Sequence, residues 1–193
     1  MQRLAALADR IDRMNAAVGR AAAWCVLFMV LVQFSVVLLR YLFGMGSIWL
    51  TESIVYAHAM LFLLAAAWTL TAGGHVRVDI FYSGASPRRR AWIDLFGAGL
   101  LLLPFMLAIL VLSLPYVARS WSMLERSREA SGLPLVFALK TLIPIFAVLL
   151  ALQGFAQAVR ALLVIFPPSS PGLAGRSSQL MDAPPSRGMT SGL

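Results

Sequence analysis

From Ser53 to Thr71 the chain carries no Lys, Arg, Asp or Glu, and a helix needs about 20 such residues to cross a bilayer. No other feature restricts the fold as strongly. In hydrocarbon every backbone N–H and C=O must be satisfied within the segment, which leaves a helix as the natural state of a single apolar run. This run has a polar signature at each mouth: Trp49 and Glu52 at the start, then His75, Val76, Arg77, Val78 and Asp79 beyond its end. An ordinary span needs only apolar residues and an interfacial anchor. The two mouths are therefore the first places to look for function.

Composition carries the same message. Of 193 residues 60% are hydrophobic and only 12% charged, with a mean hydropathy of +0.82, whereas a soluble domain is about 25% charged. The net charge of +8 has no aromatic-interleaved basic face that would indicate nucleic acid. The arginines stand beside apolar segments, where they set topology and meet anionic lipid. Cys25 is the single cysteine and lies within an apolar run, so an internal disulfide and a cysteine metal cluster are both excluded.

In chain order, Leu4, Leu7, Ile11, Met14 and Val18 follow one another at spacings of three and four, drawing an apolar stripe along a polar segment. Residues 1–20 are expected to form an amphipathic helix in the membrane interface or against a partner helix. The four spans are expected at about 21–43, 52–72, 91–114 and 135–165. Arg40 lies near the end of the first, where a snorkelling side chain costs little, and could pair with Glu52 across the Gly44–Ser47 turn. His58 lies within the second span. Pro87 after Ser86 suits a helix start, placing Arg88, Arg89 and Arg90 in its first turn. An extramembrane helix is expected over 116–131, and a disordered Pro-, Ser- and Gly-rich tail over 167–193. The fold class is thus all-α, an integral membrane protein of four transmembrane helices with an N-terminal interfacial helix.

Four spans put both termini on one side. On that side stand Arg3, Arg10, Arg13, Arg20, Arg77, Arg88, Arg89, Arg90, Arg160, Arg176 and Arg187, against Arg40, Arg119, Arg126, Arg128 and Lys140 opposite. The positive-inside rule makes the termini cytoplasmic.

Arg40, Trp49 and Glu52, followed by His75-Val-Arg-Val-Asp79 and then Pro87 with its arginines, resemble the small four-helix (Q or DctQ-type) subunit of tripartite ATP-independent periplasmic (TRAP) transporters. The likeness covers about residues 20–165 and extends to Gly46–Ile54, Pro115–Val117, Ser120-Trp121 and Gly132–Pro134, segments similar to a longer branch of that family. Thr51 and Ala65 depart from the family pattern, which commonly has Glu and Gly there. The resemblance implies a scaffold in the bacterial inner membrane that braces a large subunit, with substrate and sodium carried by that partner and an organic acid delivered by a periplasmic binding protein. It also implies subunit-interface or structural roles for Arg40, Trp49, Glu52, His75, Arg77 and Asp79, and topology or lipid contact for Arg88, Arg89 and Arg90. The same residue types equally serve as plain interfacial anchors.

Two other classes of membrane protein share some of these features. A haem-bearing anchor of a respiratory enzyme would use His58 and His75 as axial ligands, but seventeen residues of continuous helix would part them by about 25 Å. A self-sufficient proton-coupled exporter would need a mid-membrane acid, and Glu52 stands at a mouth. No internal repeat or interrupted polar midplane of a transporter core is visible. Neither phosphate loop, metal-ligand spacing nor nucleophile elbow is present, so no enzyme, cofactor or metal is expected.

Overall fold

The computed structural model describes residues 2–74 and 84–166. Within them the chain forms four helices: α1 (Gln2–Phe43), α2 (Ile48–Thr71), α3 (Pro87–Ser122) and α4 (Val136–Ile165). Each is long and apolar enough to cross a membrane, and no strand occurs among the described residues.

α1 corrects one expectation. No break separates an interfacial helix at 1–20 from a span at 21; a single helix of 42 residues runs through both. No proline lies between, and Gly19 is held against α2, so nothing stops the backbone where polarity changes. At 1.5 Å per residue the helix is about 63 Å long, roughly twice the hydrocarbon thickness. Its buried residues Ala8, Ile11, Asn15, Gly19 and Ala22 recur at the three-and-four spacing of one helical stripe.

α2 begins before Glu52. Gly44 takes a positive φ of 64° that reverses the chain, and Ser47 caps the helix by accepting the Leu50 N–H. α3 starts as its sequence suggests, with Ser86 accepting the Arg89 N–H and Pro87 in the first turn. Its segment Gly97–Leu102 widens into a π-helix, in which the Leu103 N–H bonds to the Ala98 carbonyl. Pro104 lies two residues beyond; it lacks a donor and its ring crowds the carbonyl four residues back, which a local widening relieves.

A second correction follows at the end of α3. The expected helix over 116–131 does not form, because α3 continues through Pro115 to Ser122 and the chain then turns. A membrane helix tolerates the proline. The chain leaves the helix after Ser122 and turns at Leu124, whose φ of 44° is left-handed, and residues 123–135 fold back as a loop.

α4 is the hub, packing against each of the other three helices. One core cluster joins Ala67 of α2, Met106 of α3 and Leu149 and Leu150 of α4; a second joins Ala8 and Ile11 of α1 to Ala156 and Val159 of α4. These contacts set consecutive helices in alternating directions. The bundle therefore has a turn end, with residues 44–47 and the 123–135 loop, and a basic end, with the starts of α1 and α3.

Candidate functional site

At the turn end, Glu52 ties α2 to the 123–135 loop. Its Oε2 accepts the Leu133 N–H at 2.5 Å, and its Oε1 accepts the Ser127 hydroxyl. The Ser127 N–H donates to the Leu133 carbonyl at 3.2 Å, closing the loop on itself. Gly132 is needed here, since a Cβ at that position would lie 2.7 Å from Glu52 Oε1.

A second carboxylate pins the same loop to the facing helices. Glu125 accepts from Lys140 Nζ at 2.5 Å and from Ser120 Oγ at 2.6 Å. The Lys140 ammonium, and then the Ser120 hydroxyl, stabilise the ionised form and hold the Glu125 carboxyl below its ordinary range. Lys140 also sits 4.2 Å over the Tyr116 ring, a favourable site for a cation. Next to them Trp121 donates to Thr141 at 2.8 Å and meets Phe137 edge-on at 4.7 Å. Short-range geometry thus locks the loop on both sides.

Arg40 and Trp49 are exposed at this end. Arg40 shares a cleft of about 440 Å³ with Ser47, Thr51, Glu52 and Glu129. The pair between Arg40 and Glu52 is not formed; the ion pairs of the bundle include those of Lys140 with Glu125 and of Arg160 with Asp9 and Asp12. Glu52 already has partners in its own chain. His58 lies on the exposed side of α2, its ring 6.5 Å from that of Phe62. His75, Arg77 and Asp79 lie outside the described residues.

The basic end holds a network that sequence reasoning missed. Arg160 of α4 donates to Asp9 at 3.1 Å and to Asp12, both on α1. Gln153 donates to Asp12 at 2.9 Å and accepts from Asn15 at 2.7 Å, while Asn15 also reaches the Leu149 carbonyl at 3.4 Å. Asn15 and Gln153 are both fully buried. In a local window Asn15 is one polar residue among several near the start of α1, and Gln153 one amide in an otherwise apolar run. A usable signal existed: Asn15 continues the buried spacing of Ala8 and Ile11, and Gln153 and Arg160 lie two turns apart on one face of α4. Arg88, Arg89 and Arg90 are exposed at the start of α3. Among the described residues no group of three His, Cys, Asp or Glu side chains could hold a metal.

Four apolar, membrane-length helices, clasped by polar side chains at both ends, define a multi-pass membrane protein built as a pinned frame. Residues 12–164 match the family described as "Tripartite ATP-independent periplasmic transporters, DctQ component". The chain belongs to this family and is a small permease component of a TRAP-type transport system, a transport component and not a member of an enzyme family. No curated protein and no solved structure matches the chain. Members of the family work with a larger membrane subunit and a binding protein.

Proposed function

We propose that this chain is the brace of a large substrate-translocating subunit, and that the assembly takes up an organic acid together with sodium ions after a periplasmic binding protein delivers it. The supporting observation is the pinned frame: α4 packs against every other helix, and side-chain networks fasten both ends. A partner that moves substrate needs something that keeps its shape, and interlocked packing with hydrogen bonds between helices resists deformation. The frame also presents a broad apolar wall, for Leu27, Leu31, Phe34 and Leu38 of α1 are exposed.

In this reading the protein is a bacterial inner-membrane component with cytoplasmic termini, its basic end inward. Arg40 and Trp49 face the large subunit at the outward end. Glu52 shapes that contact indirectly by holding the 123–135 loop, while His75, Arg77 and Asp79 fix the cytoplasmic connector. Arg88, Arg89 and Arg90 hold the orientation.

Co-purification tests the proposal. The tagged chain, gently extracted from its native membrane, should bring a stoichiometric multispanning subunit, and Arg40→Ala with Trp49→Ala should weaken that association. Recovery of the chain alone, or with a soluble redox enzyme, would defeat it.

A further inference from the structure

We propose that the half of α1 nearer the turn end carries the seam on which one transmembrane helix of the large subunit docks, with Gln33 hydrogen-bonded to a polar side chain of that helix in mid-membrane. Along α1 the residues Ala8, Ile11, Asn15, Gly19 and Ala22 form one buried stripe. α4 covers its first part through Ala156, Val159 and the Asn15–Gln153 bond, and Trp68 of α2 packs on Gly19. Beyond Ala22 the spacing of three and four continues on the same face as Val26, Val30, Gln33, Val37 and Arg40. There the cover ends: Val26, Val30 and Val37 are 46%, 59% and 40% exposed, and Gln33 and Arg40 are exposed with them.

Gln33 sets what this face can meet. It lies midway along the apolar run 21–43, and among the described residues its amide has no hydrogen-bond partner. An amide left alone in hydrocarbon gives up its bonds to water without replacement, and lipid tails offer neither donor nor acceptor. A neighbouring helix with a hydrogen-bonding side chain at the same depth offers both. Ser35 provides the contrast. It is also exposed, on the opposite side of α1, but its hydroxyl turns back to the Leu31 carbonyl at 2.9 Å, which suits that side to lipid. The three valines are short and stiff at χ1, so a helix can pack on them with little loss of side-chain freedom.

Charge chooses the occupant. A second copy in the same membrane orientation, related by a twofold axis, would set Arg40 against Arg40 wherever Gln33 met Gln33. A helix of a different chain carries no such penalty. It fits if it holds an acceptor for Arg40 two helical turns, about 10 Å, nearer the turn end than the group that faces Gln33. The acids in the Arg40 cleft do not fill that place: Glu52 is bound by Leu133 and Ser127, and Glu129 forms no ion pair with Arg40. The identity of the partner as the large subunit rests on the bracing role proposed above; the uncovered stripe does not.

Photo-crosslinking in the native membrane is the test. The tagged full chain carries p-benzoylphenylalanine in place of Val37, which leaves Gln33 and Arg40 intact, or in place of Ser35. Irradiation should join the probe at 37 to the multispanning subunit that co-purifies with the parent chain, and should leave the probe at 35 unlinked to it. Gln33→Leu should lower retention of that subunit by about threefold, while Ser35→Leu should leave it at the parental level. Equal crosslinking from the two positions, none included, would overturn the seam, and so would a link from 37 to a second copy of this chain; either result leaves the bracing role standing. Full retention by Gln33→Leu would also overturn it, by removing the mid-membrane hydrogen bond. A parent chain recovered without any multispanning subunit would instead defeat the bracing role, and the named partner with it.

Discussion

Glu52 holds two donors of one loop, and the two differ in what they tolerate. The Leu133 N–H is fixed in direction by the backbone, whereas the Ser127 hydroxyl can rotate. Glu52→Ala strands the amide of a buried residue and should cost about 1–3 kcal/mol, read as a lower thermal midpoint in detergent. Glu52→Gln should cost less, because its carbonyl can still accept from Leu133. An equal loss for both would mean that charge, and not the hydrogen bond, fastens the loop. Glu125 makes the anchoring of the loop pH-dependent. Its folded carboxyl titrates below its ordinary value because Lys140 and Ser120 donate to the ionised form. The stabilisation is therefore complete above the usual glutamate pKa near about 4.3 and fades as pH falls through the lower folded value. Glu125→Gln should be less stable than the parent at neutral pH, with the gap closing as pH falls through the lowered folded value. A gap that stays constant across that range would remove the ion pair from the account.

Helix packing turns on two glycines with different neighbours. A Cβ at Gly19 would meet Trp68 Cβ at 2.6 Å and its ring at 2.8 Å, whereas one at Gly154 would meet the Leu102 side chain, its Cδ2 at 2.8 Å and its Cγ at 3.3 Å. Replacing a helical Gly by Ala gains up to about 1 kcal/mol of propensity. Gly154→Ala should thus be near neutral, since Leu102 can swing aside, while Gly19→Ala should lose about 1–3 kcal/mol by forcing α1 from α2. Thermal midpoints of the two variants decide it, and an equal effect would show that the α1–α2 contact yields as easily as a leucine tip. The apolar helices were legible because uninterrupted hydrophobic runs report on the bilayer directly. Their continuity was less so. The change of polarity near Arg20 resembled a boundary, but backbone hydrogen bonding does not register polarity, and only a breaker would have ended α1. Pro115 looked like such a breaker and α3 passed through it. The loop that followed was misread as a helix because its structure comes from Glu52 and Lys140, partners on other helices that local sequence does not reveal.

At the scale of the whole molecule, the clasp at the basic end joins residues almost a chain length apart, so nothing in a local window could announce it. It fastens the first turns of α1 to the last turns of α4 through Asp9, Asp12 and Asn15. The parts are unequal. The Asp9 side chain is 66% exposed and its bond to Arg160 is well screened, whereas Asp12 is 20% exposed. Arg160→Ala should consequently cost only about 1 kcal/mol, yet leave both acids without a counter-charge and expose the polar turns of α1. Limited trypsin digestion should then cut faster at Arg10 and Arg13, while the fragments covering α2 and α3 retain parental resistance. The same variant separates the two ends functionally. If the large subunit is held at the turn end by Arg40 and Trp49, Arg160→Ala should co-purify with it at parental stoichiometry despite the loosened α1. Loss of the large subunit from this variant would place the bracing contact at the basic end instead, with Arg40 and Trp49 left as surface anchors.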